Sequence, residues 1–180
     1  MKRFGINLLL VILTLSIFSC DNDEELSDID FNTTIVKSLP VSVSTTNEMT
    51  ASVLLDATSD AEIGKYVGKI TKYEVTELLF AVENYTAPNP DEIYFNGEIG
   101  FGNKSQNQSS TACPLSPYNI THVANTGDSP ISTCNSITDD IADILLVDNA
   151  VKIYMDGAYT KAPCSFDLKV TIKVKVTAVE

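Results

Sequence analysis

The sequence has no tryptophan and a single histidine, His122, and its 24 aspartates and glutamates outnumber its 12 lysines and arginines. With one imidazole, any Ser-His-Asp or Cys-His machinery would have to be built on His122, and no Gly-x-Ser-x-Gly turn accompanies it. The 4 cysteines contain no Cys-x-x-Cys pair, the spacing that holds structural zinc, so neither a metal nor another cofactor is expected. Gly97–Ser105 has the look of a phosphate-binding loop, but Asn103 separates Gly102 from Lys104 and an apolar alternation runs through the glycines. The formal charge of −12 argues against nucleic acid or an anionic surface as a partner met through general electrostatics. The long apolar run, Ile6 to Phe18, is shorter than the roughly 20 residues a membrane-spanning helix needs.

What is present is alternation. From Phe166 every second residue is apolar through Leu168, Val170, Ile172, Val174, Val176 and Ala178, and the residues between are Asp, Lys or Thr. That is a strand with one dry and one wet face, and the dry face requires a covering layer. Ile35–Val43 reads as a first strand with Pro40 at an edge or bend, and Met49–Leu55 as a second, antiparallel to it. In Lys69–Tyr85 the apolar phase switches near Glu77, as at a β-bulge. Ile93–Phe101 reads as one strand kinked at Gly97, and Val151–Met155 as another, ending in a turn or bulge at Asp156-Gly157. A short strand is expected in Tyr118–Ala124, within a loop-rich stretch. Ser59-x-x-Glu62 and Ser136-x-x-Asp139 are capping boxes ahead of two short amphipathic helices, the first stopped by Gly68. Asp139, Asp140 and Asp143 suit the start and wet face of the second helix. The expected fold is mostly β: an antiparallel β-sandwich of immunoglobulin-like architecture with two short helices.

Lys2 and Arg3, the apolar run and then Ser19-Cys20 form a secretory signal. Ile17-Phe18-Ser19-Cys20 resembles a bacterial lipobox, although Phe18 is bulkier than the usual occupant of its place. The resemblance implies cleavage before Cys20 and lipid attachment to Cys20, an anchor more stable than a single acyl chain gives. Asp21, Asp23, Glu24 and Glu25 follow, and an acidic cluster there resembles the surface-export signal of lipoproteins from Bacteroidota. The expected organisation is a signal peptide at 1–19, a lipidated Cys and acidic flexible tether at 20–31, and one sandwich domain at 32–180. By the resemblance the chain is held at the outer membrane, facing outward from the cell, with the periplasmic face as the alternative.

Among the remaining cysteines, Cys113 and Cys134 are the first choice for a disulfide, although Cys164 competes for either. Lys169, Lys173 and Lys175 form a basic row on the wet face of the last strand. Such a row pairs with acids on a neighbouring strand, guards an edge, or offers a binding face to an acidic glycan or partner. The expected function is non-enzymatic: a lipid-anchored envelope protein that binds a protein partner or a glycan. The alternative is a carrier or sensor of an apolar small ligand in the β core, with Tyr66, Tyr73, Phe80, Phe95 and Phe101 around it.

Overall fold

The inward residues of the closing strand, from Phe166 to Ala178, are all at most 3% exposed. The computed structural model describes residues 27–46, 48–88, 92–124 and 126–180. Within them lie strands β1 (Asp28–Val43), β2 (Met49–Asp56), β3 (Ile70–Thr86), β4 (Tyr94–Gly102), β5 (Thr111–Asn119), β6 (Ser129–Pro130), β7 (Ala150–Tyr159) and β8 (Cys164–Val179). Helices α1 (Ala61–Lys65), α2 (Ile120–Val123) and α3 (Thr138–Asp148) join them, and none is long and apolar enough to cross a membrane.

The strands form two four-stranded antiparallel sheets, ordered β1-β8-β3-β6 and β2-β7-β4-β5. The sandwich is the expected one. Its connectivity is that of a jelly roll: β1 lies beside β8, β2 beside β7, β3 in the sheet with β6, and β4 beside β5, like one long hairpin rolled over on itself. An immunoglobulin-like order would instead pair β1 with β2. The expected pairing of the first two strands is therefore replaced, and they lie in different sheets. β1 also begins at Asp28, so residues 28–31 of the expected tether belong to the ladder with β8. Residues 1–26, with Cys20, Asp21, Asp23, Glu24 and Glu25, lie outside the described residues.

Local chemistry explains the other departures. The phase switch in β3 is a bulge at Thr76, between Val75↔Val174 and Glu77↔Lys173. β4 is one unbroken strand through Gly97, as expected. β7 also runs straight through Asp156-Gly157, where neither turn nor bulge forms. Gly97 and Gly157 face each other across the ladder because the Phe95 ring lies against both. α1 is capped by Asp60 and not by Ser59: the Asp60 carboxylate accepts from the backbone N–H groups of Glu62 and Ile63, both at 3.0 Å. Ser136 likewise does not cap α3; its hydroxyl donates to the Thr133 carbonyl in the 3-10 turn 132–137. The strand expected in Tyr118–Ala124 is instead the end of β5 followed by one helical turn.

α3 packs on β3 and buries Ile141, Ala142, Ile144 and Leu145. It covers an edge that β6 closes at only two residues. The Cys113–Cys134 disulfide, both residues fully buried, ties β5 to the turn that leads into α3. Cys164 is a free, buried thiol.

Two substitutions test these supports. Replacing Cys113 and Cys134 by Ala should cost about 3 kcal/mol in equilibrium urea unfolding, from the freed loop closure. An unchanged urea midpoint would show that the staple is dispensable. Gly97→Ala would put a methyl 2.1 Å from the Asp156 carbonyl oxygen and 2.5 Å from the Phe95 ring. A loss of about 1–3 kcal/mol is expected, the usual cost of overpacking, and a neutral result would remove the close-approach explanation.

Candidate functional site

The rolled hairpin sorts its connections to two ends. Segments 57–69, 103–110 and 131–149 lie at the end where Ser27 and Glu180 meet, the Glu180 N–H donating to the Ser27 carbonyl at 3.3 Å. Residues 44–46, 48, 87–88, 92–93, 120–124, 126–128 and 160–163 lie at the other. These distal connections are tied together: the Ile93 N–H donates to Thr121 Oγ1 at 3.0 Å, and the Tyr94 N–H to Thr160 Oγ1 at 2.9 Å.

Three depressions adjoin at this distal end. One of about 310 Å³ is lined by Ser42, Ser44, Thr86, Pro88, Pro163 and Cys164 among others. A second of about 230 Å³ shares Pro88 and Pro163 and continues to Thr46, Ile93 and Lys161. A third of about 340 Å³ shares Ser42 and Ser165 and continues over Pro40, Asn84 and Asp167. Together they make a groove across the end of the sandwich. Asn84 adopts a left-handed φ of 52° in the bulge between Glu83 and Thr86, and its amide donates to Asp167 Oδ2 at 2.6 Å. The Ala162–Pro163 peptide is cis.

The groove offers hydroxyls, flat proline faces, one carboxylate and one ammonium among the described residues. Its thiol, Cys164, is pushed above the ordinary thiol range by burial. His122 is on α2, exposed, its backbone N–H capped by Asn119 Oδ1 at 2.9 Å, and does not line the groove. Tyr73, Phe80, Phe95 and Phe101 are buried in the core and Tyr66 packs on Phe31, with ring centroids 5.4 Å apart. Burial pushes the Tyr73 phenol up to about 12, with the Asp60 charge adding to it.

A smaller cup of about 140 Å³ lies on the outer face of the β2-β7-β4-β5 sheet, lined by Thr50, Glu98, Gly100, Ser109, Tyr154 and Asp156 among others. It exists because segment 103–110 folds back over Gly100, where any Cβ would fall 2.3 Å from that of Ser109. Tyr154 Oη and Lys152 Nζ hold the segment by donating to the Gln106 carbonyl at 2.7 and 3.1 Å.

The lysine row is on the outer face of β8, between β1 and β3, and each ammonium meets carboxylates. Lys175 pairs with Asp30 at 2.8 Å, Lys173 with Glu77, and Lys169 with both Asp128 at 2.9 Å and Glu83 at 3.0 Å. Of the aspartates on α3, Asp140 accepts from Thr111 Oγ1 at 2.7 Å and so ties the helix to β5, while Asp139 and Asp143 are exposed. The groove went unread in the sequence. Its walls come from separated segments, and prolines 40, 88 and 163 near strand ends were the visible hint.

No protein-family model and no curated protein matches this chain. Among solved structures it is similar to a chain described as Desmodium yellow mottle tymovirus, with a TM-score of 0.36 and 12% identity over 86% of this chain and 83% of that one. At that similarity the likeness says nothing about what this chain does.

The ion pairs fix the sign of the pH response. Hydrogen bonds from Lys175 and then Thr177 hold Asp30 below its ordinary value of 3.8. That stabilisation is present above the ordinary value and lost as pH falls through the lowered one. Asp30 holds Lys175, and Asp128 and Glu83 hold Lys169, above the ordinary 10.5. Their contribution is present below that value and lost as pH rises through the raised ones. The melting temperature should therefore decline at both extremes, and Asp30→Asn should flatten part of the acid limb in low salt. High salt should shrink that difference. An acid limb identical in Asp30→Asn would sever the attribution.

Proposed function

We propose that this chain is a lipid-anchored, non-enzymatic protein of the cell envelope that captures a protein partner in the distal groove. In this reading Cys20 carries the lipid and the Asp21–Glu25 cluster directs the chain to the outward face of the outer membrane. The observation that carries it is the groove's position. β1 takes the chain from Asp28 to Val43, roughly 50 Å at the rise of an extended strand. The groove is thus at the end of the domain farthest from the anchor, where a partner has access.

A polypeptide suits the lining better than a glycan does. The described groove residues present no exposed aromatic ring for a sugar face to stack on, Phe166 being 3% exposed. Proline and alanine faces beside hydroxyl groups fit a chain with small side chains and backbone amides. The groove carries little charge, so shape and hydrogen bonds select the partner.

Crosslinking on intact cells, then capture through a tag after Glu180 at the opposite end, tests the proposal. A single abundant partner, lost in Ser44→Trp with the melting temperature unchanged, is the expected result. Undiminished capture by Ser44→Trp would move the site elsewhere. Outward labelling without any captured protein would favour a glycan.

A further inference from the structure

The end opposite the groove has a distinct surface. Among the described residues five large apolar side chains are notably exposed: Val36, Leu54, Val67, Leu146 and Val147. Single exposed apolar residues are ordinary. Four of these five, however, belong to the end where Ser27 and Glu180 meet. Val67 is in the turn between α1 and β3, Leu146 and Val147 are in the last turn of α3, and Leu54 is near the end of β2. The elements are joined there: the Ala57 N–H donates to the Asn149 carbonyl at 2.9 Å, and the Val179 N–H to the Lys69 carbonyl at 3.0 Å. Val147 is 73% exposed.

Charges of both signs accompany the apolar side chains, the carboxylates of Asp56, Glu62, Asp148 and Glu180 being at this end together with lysines. Lys69 and Lys104 form no ion pair among the described residues, in contrast to Lys65, Lys72 and the β8 row. Lys104 is held beside the end of α3 by its backbone N–H, which donates to Asp148 Oδ2 at 3.0 Å. Full extension from Cys20 to Ser27 would reach roughly 25 Å at most. An anchor at Cys20 therefore keeps this end close to the bilayer.

We infer that this end rests on the lipid surface, with Val67, Leu146 and Val147 in the headgroup layer and the ammonium groups of Lys69 and Lys104 against lipid phosphates. The inference rests on the reading of Cys20 as the lipid-bearing residue. Apolar side chains within a few ångströms of the acyl boundary, flanked by lysines with long aliphatic stems, are the ordinary chemistry of interfacial contact. The contact fixes the domain upright and points the groove away from the membrane.

The test uses the full lipidated chain in zwitterionic vesicles of phosphatidylethanolamine and phosphatidylcholine, with an environment-sensitive fluorophore on Val147→Cys or, separately, Ser44→Cys. The probe at 147 should shift to shorter wavelength and lose intensity to headgroup spin-labelled lipid, and the probe at 44 should do neither. Equal behaviour at the two positions overturns the inference, as does a shielded probe at 147 in detergent together with the mass of two copies. Incorporation of labelled palmitate, abolished by Cys20→Ala, checks the anchor itself. Incorporation without quenching at 147 overturns only the resting contact; no incorporation removes the anchor reading and this inference together.

Discussion

The apolar face of β8 is the constraint on which the architecture depends. It is paired along its whole length, by β1 from Asp28↔Val179 to Val43↔Cys164 and by β3 from Ile70↔Ala178 to Thr86↔Ser165. Its inward side chains bury on the order of 10–15 kcal/mol of gross hydrophobic free energy, comparable to the whole net stability of a domain. That face must stay covered, yet the opposing sheet has strands of only 8 to 10 residues against 16 or 17 in β1, β3 and β8. The remaining length is covered by α1 and its flanking turns, with Ile63 fully buried and Tyr66 on Phe31. The mismatch in strand length thus gives the two ends their different character: one is thatched by helices and turns, the other left as a groove.

The wet face of β8 answers the charge of the chain. Placing three lysines on the central strand lets β1 and β3 carry acids on both sides, although Glu83 and Asp167 lie opposite one another in the ladder. Lys175 lies opposite Glu74 and Lys173 opposite Glu77 in the ladder. A slip by one residue would drive these ammonium groups into the core, so the row also enforces register. The basic row expected as a binding face has its carboxylates already in place, and an acidic ligand would have to compete with them.

Strand existence was legible where period two was long, as in β3, β4 and β8, and the bulge near Glu77 could be read from the phase change alone. Pairing was not. Local signals between Val43 and Met49 suggest a hairpin, but only the distant β8 and β7 supply apolar faces long enough to decide which sheets the two strands join. β5 was hidden by Pro114 and Pro117, which an edge strand tolerates and a central one would not. The caps were misread because Asp60 and Ser59 are both competent and only the local backbone selects between them. Asp156-Gly157 resembled a turn because a glycine required by the Phe95 ring looks the same in sequence as one required by φ. The groove left no motif, since hydroxyls and prolines gathered from distant segments have no spacing to recognise.

The odd cysteine ties these threads together. Cys164 opens β8, across the ladder from Val43 in the middle of one sheet, whereas Cys113 is on the outer strand of the other. A disulfide needs Cα atoms within about 7 Å, so the choice of Cys134 for Cys113 follows from topology, and their Cα atoms are 5.0 Å apart. Cys164 then serves as a small apolar side chain under the groove. Burial raises its thiol above the ordinary range, and it lies in the other sheet and at the other end from the Cys113–Cys134 disulfide. That burial leaves the groove without an activated sulfur nucleophile. A surface of hydroxyls, prolines and a quiescent thiol is suited to holding a partner by contact, which accords with the proposed role.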